Sequence, residues 1–185
     1  MSASSSINVP SAQSTGAPAE PRKPWWESSA PPRPPVRTIV VALVAAAAGL
    51  MALAALTHLT DLPWLIPPLA ASMALIVGAP KLPLSQPRNV VGGQMISALV
   101  GALVGLAGHS LWLGALAGAL ALAAMMATRV PHSPAAATAV IGATTAAVPG
   151  WEFVLLAGAA AVVLVLIGVV GNRYNGARDY PIYVW

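Results

Sequence analysis

The sequence has no cysteine and very little charge: Lys and Arg total 9 and Asp and Glu total 5 in 185 residues, 8% of the chain. Without cysteine there are no disulfides, no thiolate nucleophiles and no Cys-ligated metal, although nothing firm follows about compartment. Only three histidines, His58, His109 and His132, remain as common metal ligands, and they are too scattered for a catalytic metal centre. Soluble domains carry about 25% charged residues. A chain that is 57% hydrophobic, with mean hydropathy +0.76, therefore reads as a membrane protein lying mostly in lipid. The net charge of +4 does not imply nucleic acid, because the basic residues sit at the ends of apolar segments rather than on one face. No cofactor is expected.

What is present falls into an order. Residues 1–35 are rich in Ser, Ala and Pro and end in Pro31-Pro32-Arg33-Pro34-Pro35. Such a segment buries too little apolar surface to offset its ordering entropy, so a disordered tail is expected. It has no apolar core behind an early basic region and is not read as a signal peptide. Trp25 and Trp26, beside Arg22 and Lys23, either dip into the headgroups or ride on a free tail. Residues 36–59 are long enough to span, since a crossing needs roughly 20 residues. His58, Thr60, Asp61 and Pro63 break that run. A short apolar stretch, 64–79, is interrupted by Pro67-Pro68, and a proline-punctuated polar loop follows to Asn89. Residues 89–108 and 111–128 read as spans joined by a tight turn at His109-Ser110; 134–148 is a second short segment, and 151–171 is the last full span. The domain expected to lie in the membrane is 36–172, followed by a cytoplasmic tail, 173–185.

If all six apolar segments cross, Arg22, Lys23, Arg33, Arg37, Lys81, Arg88, Arg129, Arg173 and Arg178 fall on one side, and Asp61 and Glu152 on the other. The basic side is the cytoplasmic one or its equivalent. The expected location is the inner membrane of a bacterium, with both termini cytoplasmic. The two short segments share a pattern: Pro68-Leu-Ala-Ala71-Ser72 parallels Pro134-Ala-Ala-Ala137-Thr138, and both reach Gly-Ala at 78-79 and 142-143. Each is the middle of a three-span half, so the expected fold is all-α and polytopic, two inverted halves each with a short, proline-broken middle helix. Paired short segments of this kind point to a transport site at a repeat interface.

The polar stretch Arg129-Val-Pro-His-Ser-Pro134, continuing to Thr145, is flanked by nearly uncharged runs. Polar groups between spans are costly, which marks them as functional candidates. A helix is expected to open at Pro134 with Ser133 as its N-cap, leaving a positive helix end for a small anion.

Three stretches together resemble the HPP family of integral membrane proteins: Pro83-Leu-Ser-Gln-Pro-Arg-Asn-Val-Val-Gly-Gly93, Thr128-Arg-Val-Pro-His-Ser-Pro134, and the ending from Asn172-Arg-Tyr through Arg178-Asp-Tyr-Pro-Ile-Tyr. The resemblance covers residues 36–185 and implies a membrane transporter, with nitrite as the implied substrate. It departs from the family at His132-Ser133-Pro134, where His-Pro-Pro is usual, and at Gln94, where a histidine is usual. Alanines 70 and 136 stand where glycines are expected and would narrow a backbone-lined site.

The candidate substrate-binding set is Pro68, Ala71, Ser72, Arg88, Asn89, Arg129, His132, Ser133, Pro134, Ala137 and Thr138. His132 has two readings, an anion-binding or proton-carrying group and a neutral side chain capping a carbonyl. Ser72 and Thr138 either donate to substrate oxygens or bond their own i−4 carbonyls. Arg88 and Arg129 either enter the pore or anchor helix ends by snorkelling. Gly101-x-x-x-Gly105 and Gly114-x-x-x-Gly118 offer close helix contact, within one subunit or across a homodimer. An enzyme is not expected, since adjacent His132 and Ser133 have no carboxylate to orient them. The expected carrier binds its anion where the N-termini of the two short helices, opening at Pro68 and Pro134, face each other near the bilayer midplane. A non-transporting scaffold or sensor subunit is the competing class, and it would not need those facing ends. The expected partners are a small inorganic anion and the lipid bilayer.

Overall fold

The computed structural model describes residues 26–27, 30–145, 150–177 and 179–184. The tail up to residue 25, with Arg22, Lys23 and Trp25, lies outside the described residues, as do 146–149, which close the fifth expected segment, and Arg178. The chain divides into two units, Met1–Arg33 and Pro34–Trp185. In the first, Trp26 and Glu27 form an exposed turn and bend. All that follows concerns the second.

Among the described residues every regular element is helical: α1 (Val36–Thr60), α2 (Pro67–Gly78), a 3₁₀ turn (Pro83–Ser85), α3 (Pro87–Gly105), α4 (Leu111–Ala127), α5 (Ala135–Thr144) and α6 (Gly150–Tyr174). The breaks follow local chemistry. α1 stops where Asp61 turns left-handed at φ 56°, and the departing chain is caught by threonines: Trp64 Nε1 donates to Thr60 Oγ1 at 2.9 Å and the Leu65 amide to Thr57 Oγ1 at 3.1 Å. Prolines open α2 and α3, where a missing N–H costs nothing. Ser110 caps α4 by accepting from the Leu113 amide at 3.2 Å.

α3 runs Pro87–Gly105 rather than over the expected 89–108, since Pro87 opens it and the chain turns off before Gly108 at φ 128°. Two further expectations at helix ends are corrected. α5 begins at Ala135 with Pro134 as its cap residue, and Ser133 makes no side-chain cap. α6 runs on to Tyr174, into the tail expected from residue 173, and its last turn is held by Asn172, which is buried and donates to the Ile76 carbonyl at 2.9 Å.

Close approaches set the direction of each helix. Gly92, Gly93, Gly101 and Gly105 of α3 lie in turn against Val130, His132, Ala139 and Gly142, so α5 and its lead-in run with α3. Gly118 and Gly114 lie against Val140 and Thr144, so α4 runs against α5. Gly158 meets Met95 and Gly150 meets Ala102, which sets α6 against α3; Gly171 meets Ala45 and Leu164 lies by Gly49, which sets α1 against α6. The Gly-x-x-x-Gly pairs therefore both clasp α5 within one subunit. At Gly101 an added Cβ would stand 2.5 Å from the Ala139 carbonyl oxygen, so only glycine allows the approach.

The larger core joins α1, α2, α3 and α6 through Leu53, Leu69, Met73, Ile76, Val90 and Leu164; a second, alanine-lined core lies between α4 and α5. By length and composition α1 and α6 are able to cross a membrane, while α2, α4 and α5 are shorter apolar helices.

Candidate functional site

The residues expected to act together separate into an interior group and a cleft. The interior group is a chain of hydrogen bonds among fully buried side chains. Thr138 Oγ1 donates to Gln94 Oε1 at 2.6 Å, Gln94 Nε2 donates to Ser72 Oγ at 2.9 Å, and Ser72 Oγ lies 2.7 Å from His132 Nε2. His132 Nδ1 lies 2.7 Å from the Leu84 carbonyl. A carbonyl only accepts, so Nδ1 carries a proton, and in the neutral ring Nε2 accepts from the Ser72 hydroxyl. Ser72 Oγ also lies 3.0 Å from the Pro68 carbonyl, one turn back on its own helix. That second acceptor matters chemically. If the imidazole gains a proton, Nε2–H donates to Ser72 Oγ and the hydroxyl turns to Pro68, so both protonation states are satisfied without moving a heavy atom.

The groups in contact with His132 are uncharged: the Ser72 hydroxyl on α2, the Leu84 carbonyl and, against its Cβ, Gly93 on α3. Ser97, one turn beyond Gln94 on the α3 stripe that meets α5, is fully buried, and its hydroxyl has no partner among the described residues. It sits between the His132 contact at Gly93 and the Ala139 contact at Gly101, level with the start of α5.

The backbone donors expected at the two helix starts are largely spoken for. Pro67 and Pro68 have no N–H, and the Leu69 amide bonds the Ile66 carbonyl at 3.0 Å. At α5 the amides of Ala135, Ala136 and Ala137 bond the carbonyls of His132, Ser133 and Pro134. Tight first turns have satisfied the groups that a bare helix end leaves open. Ala71, Ser133 and Ala137 are exposed and do not join the network, and Pro134 is half-buried.

The cleft, about 590 Å³, is lined by Arg88, Asn89, Arg129, Met126, Pro131 and Tyr183 with Pro83. It brings together the two arginines, one from the first turn of α3 and one just past α4, where Arg129 is held at φ 61°. Asn89 is partly committed, donating to the Pro83 carbonyl at 2.8 Å and lying 3.3 Å from the Tyr183 hydroxyl. Its neighbours are structural: Ser85 bonds the end of α2 through the Leu75 and Ala79 carbonyls, and Gln86 accepts from the Ile182 amide at 2.8 Å. Tyr180 donates to the Ser85 carbonyl at 2.9 Å, and burial pushes its phenol above the usual range, keeping it a donor. The stretch that reads as a polar loop is thus folded inward and strapped by the C-terminal residues.

The family described as HPP, transmembrane region, matches residues 31–181. This chain belongs to it. The HPP chain is also 33% identical over 149 residues, 74% of its length, to a transmembrane protein of Dictyostelium discoideum, covering 48% of that relative. A second Dictyostelium transmembrane protein is 32% identical over 169 residues, 84% of this chain and 59% of the relative. The HPP chain thus spans about half the length of these curated relatives. No solved structure matches it.

Sequence reasoning noted Gln94 only as a departure from the family, yet it is the link between Ser72 and Thr138. The available signal was an amide in an otherwise apolar helix face, a group that demands partners once buried. Ser97 carried the same signal more weakly, and nothing local pointed to Tyr183 or the Leu84 carbonyl.

Proposed function

We propose that this HPP-family protein is a membrane carrier for a small monovalent anion, with nitrite the leading candidate by family resemblance. The observation that carries the reading is the buried chain His132–Ser72–Gln94–Thr138, which joins the second turn of α2 to the first turn of α5, with the Ser97 hydroxyl free beside it. The two short helices run in opposite directions, α2 with α6 and α5 with α3, so their positive poles act on the same interior region. Since the first-turn amides are engaged, the anion is held by hydroxyls and by the helix dipoles rather than by bare N–H groups.

The six-span inverted arrangement belongs to this reading and is supported by symmetry of contact. Exchanging α1, α2, α3 with α4, α5, α6 turns the α1–α6 pairing into α4–α3, α1–α2 into α4–α5 and α3–α5 into α6–α2, and all of these occur. Successive helices alternate in direction, which gathers Arg37, Lys81, Arg88, Arg129 and Arg173 at one end and leaves Asp61 and Glu152 at the other. The basic end is assigned to the cytoplasm. There the Arg88–Arg129 cleft collects anions. Moving an anion into a negative interior costs about 2.3 kcal/mol per 100 mV. A coupled proton offsets that cost, and His132, with Ser72 able to turn between two acceptors, is the group assigned to carry it.

A scaffold or sensor role is the second reading, favoured by the network's being satisfied within itself. Flux of nitrite, nitrate, chloride and formate into liposomes holding the purified protein, across imposed pH gradients, separates the two. Anion-selective flux that loses its response to the pH gradient in His132→Ala is expected. No flux of any anion, with a soluble partner recovered instead, would establish the scaffold.

A further inference from the structure

A second place on the molecule has the chemistry of a ligand site. A groove of about 600 Å³ runs between α1 and α6, walled by Val40, Val44, Ala48, Leu166, Val170 and Gly171. It exists because the helices touch through small residues, Ala45 against Gly171, with larger side chains spreading on either side. At one end it continues into a polar recess formed by Arg37 and Arg173, and Val170 and Tyr174 wall both parts. Arg37 Nη2 donates to the Tyr174 carbonyl at 3.2 Å, which fixes one guanidinium at the C-terminus of α6 while its other nitrogens stay exposed. The lining holds two cations and no carboxylate.

We propose that this groove and recess bind one anionic phospholipid, an acyl chain lying along α1 and α6 and the phosphate held between Arg37 and Arg173. Charge complementarity selects the occupant. A zwitterionic lipid gains less from two guanidinium groups, and a free phosphate has no use for the apolar wall. A second copy docked by this face would set its own Arg37 and Arg173 against the first pair, with no carboxylate among the residues lining the groove and recess to meet them. Only 17% of the apolar run of α1 is buried against the rest of the chain, compared with 50% in α6, which leaves its face open to an acyl chain. Basic pockets between membrane helices favour acidic headgroups for the same electrostatic reason.

The test is native mass spectrometry of the full chain released from micelles containing equal phosphatidylglycerol and phosphatidylcholine with the same acyl chains. Preferential retention of phosphatidylglycerol is expected. In the double variant Arg37→Gln, Arg173→Gln the preference falls roughly tenfold or more, since each basic group near a headgroup contributes about a factor of five. Ala48→Phe, which fills the groove while leaving the arginines, also releases the lipid. Lys81→Gln, which removes an exposed charge elsewhere, leaves retention unchanged. Circular dichroism confirms that each variant keeps its helices. Equal retention of both lipids by the unaltered chain, an effect of Lys81→Gln as large as that of the double variant, or full retention by Ala48→Phe would each overturn the proposal.

Discussion

Replacing Thr138 by valine tests the interior network most directly, because the side chain keeps its branched shape and loses only the hydroxyl. That hydroxyl donates to Gln94 Oε1 at 2.6 Å between two fully buried residues. Without it the amide oxygen is left buried with no donor, which in a soluble core costs about 1–3 kcal/mol. Hydrogen bonds between membrane helices are weaker, averaging about 0.6 and reaching about 1.7 kcal/mol. A loss near 1 kcal/mol is therefore expected, which lowers the midpoint of thermal unfolding by about 2–4 °C in a chain of this size. Unfolding is followed by circular dichroism of the purified protein in detergent. The decisive comparison is a double-mutant cycle with Gln94→Leu. With the amide already gone, the Thr138 hydroxyl has only its own i−4 carbonyl to bond, so adding Thr138→Val should cost almost nothing further. Thr138→Ser, which retains the donor, should restore most of the loss. Strict additivity of Thr138→Val and Gln94→Leu would refute the network as a cooperative unit.

Arg129→Gly separates stability from function: glycine relieves a left-handed φ of 61°, worth about 1 kcal/mol, while removing one of the two cleft guanidiniums. The variant should melt higher and yet show several-fold slower initial anion flux and a weaker salt dependence of that flux; undiminished flux would remove Arg129 from the path. Gly101→Ala places a methyl 2.5 Å from the Ala139 carbonyl oxygen, which only a shift of backbone relieves. A destabilisation of about 1–3 kcal/mol is expected, read as a lower thermal midpoint, and an unchanged midpoint would show that α3 and α5 separate freely.

The helices themselves were legible. Apolar runs bounded by prolines, Ser110 and the His58–Pro63 break place α1 and α4 within a residue of where they lie, because caps and proline act through neighbouring backbone groups. The matched hydroxyls also stood out, and Gln94 links Ser72 to Thr138. The reading of residues 80–89 as a polar loop missed that Ser85 and Gln86 are buried, since their partners lie in α2 and in a segment almost a hundred residues later.

What the amino-acid order alone determined was membrane residence, the order of the helices, the family and the two short segments, because each of these rests on composition or on contacts within a turn or two. Tertiary structure decided which polar groups remain available. The glycine pairs announced a tight contact without naming α5 as its partner. His132, Ser72, Gln94 and Thr138 become one network only when three helices and the lead-in to α5 converge, since burial in a medium without water makes every such group seek whichever partner packing brings within reach.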